Sequence, residues 1–191
     1  MNNINKIGMI TILDTCPCTG TNEKKEMLRV VLNFYRQELL DDIANYAWVI
    51  SDVSKDDSAK VNQQIADIVQ DGNRDRVIRV LGLAHQECIN ILYAYTKQDV
   101  ISGEEFKDYL KDETNYPILM SVPTTFSRTN LNYLEHLIHE YLIYRVIEDW
   151  LSIVSPDKRV VWLEKLEDIK TKIEEILNQR VGRKRRPMNP F

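Results

Sequence analysis

The stretch that decides the fold runs from Thr129 to Ser155 and reads TNLNYLEHLIHEYLIYRVIEDWLSIVS. It contains no proline and no glycine, so nothing in it forces a break, and it predicts one helix of roughly 40 Å. Up to Leu142 the polar and apolar residues fall on opposite sides when each step turns by about 100°. The polar side there holds Asn132, Glu135, His136, His139 and Glu140, and the apolar side holds Leu131, Leu134, Leu137, Ile138 and Leu142.

From Ile143 onward the two sides of this helix exchange. The former apolar side now carries Arg145, Glu148, Asp149 and Ser152, and the other side carries Ile143, Tyr144, Val146, Ile147, Trp150, Leu151 and Val154. A helix that packs against one core keeps a single apolar stripe. The exchange therefore predicts two packing partners, reached either by a kink near Leu142 within one core or by contact of the second face with another subunit.

The composition is that of a folded protein of one domain, with or without an extension. The chain has 191 residues, of which 43% are hydrophobic and 28% charged, and its six glycines and six prolines are few enough to favour helices. No apolar run reaches the ~18 residues of a membrane span, and the N-terminus has no clear signal peptide. Three cysteines (Cys16, Cys18 and Cys88) do not make a disulfide framework and favour a reducing, intracellular setting.

The rest of the chain predicts a mainly α fold, with a bundle of five to six helices. The boundaries are an extended N-terminal arm over 1–21, a helical domain over 22–180 and an extended basic tail over 181–191. The predicted elements are a short strand at Met9–Leu13, helices at Glu23–Ile50, Asp56 or Asp57 to Val69, Asn73–Thr96 and Gly103–Lys111, an extended stretch at Tyr116–Thr125, the long helix, and a last helix from Pro156 to about Arg180.

The extended stretch Tyr116–Thr125 reads YPILMSVPTT and directly precedes the long helix. Its two prolines exclude a helix and a central strand, because proline cannot donate to a hydrogen-bond ladder. The stretch is therefore predicted to be an edge hairpin or a long loop.

Two histidines on the long helix are the first candidates for chemistry. His136 and His139 lie one turn apart with Glu140 beside them, and His85 or Cys88 could supply a third metal ligand. The pattern is neither the zincin motif nor its inverse, and Glu135–His139 and His136–Glu140 are also ordinary pairs on a polar helix face. Without a phosphate loop or nucleophile elbow, the sequence favours a protein that is not an enzyme and has no cofactor or metal.

Charge marks two candidate contact regions. Arg145, Glu148 and Asp149, with the aromatic residues Tyr144 and Trp150, could form a subunit interface, although a network within the helix is the alternative. The net charge is −4, and the C-terminus is basic, so the remainder of the chain is acidic. The tail is interpreted as a solvated end, a phosphate binder or a docking strap, and its residues are Arg180, Arg183, Lys184, Arg185, Arg186, Pro187, Pro190 and Phe191.

The segments YPILMSVPTTFS and LEHLIHEYLIYRVIEDWLSIVSPDKRVVWLEKLEDIKTKIEEILNQR, followed by the basic tail, carry a family resemblance. Over roughly residues 73–191 the chain resembles the helical head–tail connector (adaptor) ring proteins of tailed bacteriophages, among them those of crAss-like short-tailed phages. The likeness lies in element lengths and apolar spacing. It covers neither the arm nor the first helix.

The resemblance implies a virion structural protein, assembled in the host cytoplasm, that forms a ring of about twelve copies beneath the portal. The tail from Arg180 to Phe191 would then bind the portal protein, other tail or ring proteins would bind the ring, and DNA would pass through its lumen without a membrane being involved. The alternatives are a small helical nucleic-acid-binding or regulatory protein that uses the arginine-rich end, and a metal-dependent enzyme built on His136, His139 and His85.

Overall fold

A computed structural model describes residues 10–16, 27–53, 59–97 and 114–178. Within these ranges six α-helices and a three-stranded antiparallel sheet are found. The elements are β1 (Ile10–Cys16), β2 (Met27–Tyr35), α1 (Arg36–Val53), α2 (Ala59–Ala66) with a 3-10 turn at Asp67–Val69, α3 (Asp71–Ile91), α4 (Tyr93–Thr96), β3 (Asn115–Pro123), α5 (Arg128–Val154) and α6 (Pro156–Asn178). The mainly α fold class is confirmed.

Helix α5 is the centre of the bundle. It packs against α1, α2, α3 and α6, and it begins and ends within one residue of the predicted bounds. Residues on both of its predicted faces are buried, namely Leu131, Leu134, Leu137, Ile138 and Leu142 from the first face and Ile143, Val146, Ile147 and Leu151 from the second. Neighbouring helices of the same chain therefore cover both apolar faces of α5.

The first predicted helix is wrong at its start. Met27–Tyr35 is a strand, and the helix begins at Arg36. The residues that alternate inward along β2 are Leu28, Val30, Leu32 and Phe34, of which Val30, Leu32 and Phe34 are at most 1% exposed. Pairing with β1 on one side and β3 on the other places β2 in the middle of the sheet.

The proline-containing stretch forms β3, an edge strand as its prolines require, but it pairs with the distant β2 rather than forming a local hairpin. The carbonyl oxygen of Pro117 lies 3.0 Å from Nε2 of His85 on α3, so Pro117 turns its backbone groups away from β2. Successive residues of a strand point their backbone N–H and C=O groups toward opposite edges. Pro123 lies six residues after Pro117, so its backbone groups also point away from β2. Neither proline therefore removes a hydrogen bond from the ladder with β2.

Several predicted segments lie outside the described residues. These are the short helix at 103–111, most of the N-terminal arm and the C-terminal tail. The predicted strand in the arm is confirmed by β1, which pairs with β2. The helix that includes α2 and its 3-10 turn ends at Val69 as predicted, and α6 begins at Pro156 as predicted, but the single helix predicted over Asn73–Thr96 is divided at Leu92 into α3 and α4.

The two faces of α5 predict a contrast between two aliphatic residues of that helix. Leu142→Ala should lower the free energy of unfolding by about 2–5 kcal/mol, because Leu142 is fully buried and its loss leaves a cavity. Ile153→Ala should cost less than about 1 kcal/mol, since Ile153 is 53% exposed. Urea unfolding followed by circular dichroism measures both values. Equal losses would contradict the packing described for α5.

Candidate functional site: the polar network and exposed faces around α5

The charge cluster predicted on α5, on the side that is apolar in the first half of the helix, pairs within its own chain. Glu148 is only 2% exposed, although it carries a carboxylate. One of its oxygens accepts a hydrogen bond from Arg145 on α5, and the other accepts one from Arg159 on α6. A buried carboxylate requires such partners, because an unpaired charge in the interior is strongly unfavourable. Glu148 thus ties α6 to α5.

The same network extends to α3 through Glu87. The hydroxyl of Tyr141 donates to Glu87 at 2.8 Å, and Nε of Arg145 lies 3.3 Å from the same carboxylate oxygen. Burial raises the pKa of Tyr141, and its hydrogen bond to Glu87 raises it further. The phenol therefore stays protonated and acts as a donor. Together these residues join three helices.

A groove of about 400 Å³ runs beside this network between α3 and α6. Its charged residues balance, because three cations face three carboxylates: Arg145, Arg159 and Lys170 against Glu87, Glu148 and Glu167. The arginines already pair with carboxylates of the network, and Lys170 pairs with Glu167 at 2.9 Å. The groove therefore offers no excess charge to attract an ionic substrate.

The other predicted interface residues also have partners in their own chain. Asp149 pairs with Arg76 of α3 at 2.8 Å. Trp150 donates from Nε1 to the carbonyl oxygen of Gln64 at 3.2 Å. The ring of Tyr144 packs edge-on against that of Trp162 on α6, with centroids 5.0 Å apart. Contact of these residues with a second subunit stays a prediction.

The sequence leaves open a metal site built on His136, His139 and His85, although it favours none. Among residues 10–16, 27–53, 59–97 and 114–178, no group of three or more His, Cys, Asp and Glu side chains could hold a metal ion. His85 is buried against β3, where its ring lies 5.5 Å from that of Tyr116, whereas His139 turns toward α1 and lies 2.9 Å from a carboxylate oxygen of Asp42. His85 and His139 therefore face different elements.

Cys88, the other proposed ligand, is fully enclosed on α3. Its side chain is 1% exposed, and burial raises the pKa of its thiol well above the usual range. A protonated thiol is a poor ligand and a poor nucleophile. Cys88 is therefore a core residue. The predicted portal-binding residues Arg180, Arg183–Arg186, Pro187 and Phe191 lie outside the described residues.

Sequence reasoning missed the exposed apolar residues near the end of α1. Trp48 is 64% exposed, Val49 51% and Val53 73%. They lie off the buried stripe of α1, which is formed by Leu39, Leu40, Ile43 and Ala47. The signal was present in the sequence, since Trp48 and Val53 do not fit the spacing of that stripe. A cluster of this kind is typical of a protein-contact surface.

Comparisons with known proteins give no relative: no family model, curated protein sequence or solved structure matches the chain. No helix in the described part of the chain is both long and apolar enough to cross a membrane.

The buried Glu148 predicts a strongly non-additive set of variants. Arg145→Met and Arg159→Met should each cost about 1–3 kcal/mol, because each leaves Glu148 one charged partner. The double variant leaves the buried carboxylate unpaired and should lose more than the sum of the single losses. Adding Glu148→Leu should then recover stability. Urea unfolding tests the series, and an additive double variant without recovery would contradict this account.

Replacement of Glu135, on the polar side of α5, is predicted to raise the stability of the protein by an amount that depends on pH. Burial raises its pKa and Glu38 on α1 raises it further, whereas His136 and His139 lower it. Because the pKa of this carboxyl is raised in the folded protein, its ionisation lowers the free energy of unfolding. The loss develops as the pH rises from the ordinary carboxyl pKa through the pKa in the folded state. Glu135→Gln should therefore stabilise the protein at pH 7–8, with a gain that shrinks as the pH falls toward about 4.5 and is lost below it.

Thermal unfolding of this variant and the wild type across that pH range measures the difference. Glu164→Gln on α6 is the control, because Glu164 is exposed. A gain from Glu135→Gln that does not change with pH would show that the charge of Glu135 is not responsible.

Proposed function

We propose that this protein is a non-enzymatic structural component of a virion, a head–tail connector that assembles as a ring and links the capsid portal to the tail. The observation that supports this most is the exposed apolar cluster Trp48, Val49 and Val53 on α1. Tryptophan is enriched at the centres of protein interfaces and rare on free surfaces. The cluster favours a protein whose function is to contact other proteins.

The rest of the chain is consistent with that role. The proline-containing element β3 precedes the longest helix α5 along the chain. The polar network of Glu148 joins α3, α5 and α6 into one body. A ring subunit needs such a rigid body, because each copy must present the same two contact surfaces.

The basic tail is proposed to bind the portal. Arg180, Arg183, Lys184, Arg185 and Arg186 would dock on an acidic surface, with Pro187, Pro190 and Phe191 as anchors of low conformational entropy. The ring would hold about twelve copies by resemblance, contact further tail or ring proteins, and allow DNA in its lumen. Its place would be the virion, after assembly in the host cytoplasm.

One observation favours a second candidate function. Five positive charges within the seven residues from Arg180 to Arg186 are enough for sequence-independent nucleic-acid binding. A nucleic-acid-binding or regulatory protein predicts affinity for DNA or RNA that falls steeply with salt and disappears when residues 181–191 are removed. A connector predicts partner protein binding that depends on the same residues.

Electron microscopy and light scattering of the full-length protein test the proposal, first alone and then after co-expression with the products of its neighbouring genes. The expected result is a closed ring that co-purifies with a portal protein. Removal of residues 181–191 should abolish the co-purification and leave the ring. The matched control replaces the four basic residues of this segment, Arg183, Lys184, Arg185 and Arg186, with glutamine, which should weaken portal binding without shortening the chain.

Two results would contradict the connector. A chain that is monomeric alone and in the presence of every neighbouring product has no ring to form. Salt-sensitive binding to random-sequence DNA, lost on removal of the tail and accompanied by no partner protein, would instead establish the nucleic-acid-binding function.

A further inference from the structure

Helix α1 presents one acidic and apolar surface, which we call the acidic face. Between Gln37 and Val53 the helix contains no lysine or arginine. Its outward stripe runs from Glu38 to Asp52 in steps of three, four, three and four residues. Trp48 and Asp52 are the exposed residues at the C-terminal end of this stripe, and the exposed Val49 and Val53 lie beside them. The acidic face comprises Glu38, Asp41, Trp48, Val49, Asp52 and Val53.

Helices α3 and α4 present a second surface of opposite charge, which we call the basic face. Its exposed residues are Arg79, Leu83, Tyr93 and Lys97, spaced along the outside of the two helices with Gln86 and Asn90 between Leu83 and Tyr93. Leu83 is 52% exposed and Tyr93 58%. Arg79 and Lys97 make no ion pair with any residue that the structure describes. Two free cations thus flank two exposed apolar side chains.

The two faces lie on different flanks of the molecule. Helix α1 contacts α5 through His139 and Glu140, which bond to Asp42 and Tyr46. Helix α3 contacts α5 through Arg145 and Asp149. At about 100° per residue, these two pairs of α5 positions point roughly 150° apart. A subunit whose complementary surfaces lie on opposite flanks can bind copies of itself head to tail.

We propose that the acidic face of one copy binds the basic face of the next. Trp48, Val49 and Val53 would pack against Leu83 and Tyr93, while the carboxylates of Glu38, Asp41 and Asp52 approach Arg79 and Lys97. This inference rests on the proposed ring, and it specifies which surfaces make the contact between neighbouring subunits.

Three properties favour a second copy as the occupant. The charges are complementary, since acidic groups flank the apolar residues on one face and basic groups flank them on the other. Both stripes alternate steps of three and four residues, which is the spacing of helices that pack side by side. Their lengths are also comparable, because the stripe from Glu38 to Asp52 spans about 21 Å and that from Arg79 to Lys97, which crosses the break at Leu92, spans at most about 27 Å.

Two variants and their mixture test the contact in the full-length protein. Trp48→Lys places a cation on the acidic face and Leu83→Glu places an anion on the basic face, so each variant disrupts one surface; both residues are exposed, so each variant should fold. Each variant alone should be monomeric in sedimentation velocity. Mixed in equal amounts they should form dimers and nothing larger, because each pair has one intact acidic face and one intact basic face. Val160→Glu on the outside of α6 is the matched control, since Val160 is 56% exposed but lies on neither face.

Each other outcome overturns the pairing. If both variants still assemble like the wild type, other surfaces make the ring, and the connector stands without this contact. If only Trp48→Lys breaks assembly, α1 binds a surface other than the basic face. If both variants are monomeric and their mixture is too, the faces do not bind each other. If either face serves a foreign protein, its variant loses co-purification of a neighbouring gene product while self-assembly is unchanged. A wild-type chain that is monomeric alone overturns the pairing, and portal binding then decides the connector separately.

Discussion

The structure depends on one helix, α5, whose two halves bury opposite sides. The apolar residues of α5 change sides between Leu142 and Ile143, so no single neighbour can cover them. The chain surrounds α5 with α1, α3 and α6, and the short α2 covers part of its C-terminal half. After this change, the side of α5 that was apolar carries charged residues. Ion pairs among Glu148, Arg145 and Glu87 take the place of apolar packing there. The central helix thus sets both the core and the position of its buried charges.

The sequence predicted this helix well because its signal is long. Twenty-seven residues without proline or glycine leave few alternatives to a helix, and the bounds at Arg128 and Val154 agree with the prediction. The meaning of the face exchange was not predictable in the same way. A kinked helix, a central helix and a subunit contact all produce the same pattern. Only the positions of α1, α3 and α6 show that the chain itself covers both faces.

The missed strand β2 shows where periodicity fails. Val30 and Phe34 are four residues apart, so they fit a helical stripe as well as the alternation of a strand. No proline or glycine separates Tyr35 from Arg36, so the sequence gives no stop between strand and helix. Pairing with β3 decides the outcome, and that partner lies 80 to 96 residues further along the chain. Packing between distant segments likewise separates His85 from His139, because His85 faces β3 and His139 faces α1.

The order of the sheet also has a consequence for synthesis of the protein. Strand β2 leaves the ribosome long before β3, and at about 5–20 residues per second the delay is roughly 4–19 s. During that interval the inner strand of the finished sheet has one unpaired edge, while α1, α2 and α3 can already form from local contacts. Unpaired edges of this kind invite aggregation. Nascent chains therefore depend on β3 arriving promptly, and pauses in translation before Asn115 would lengthen the vulnerable period.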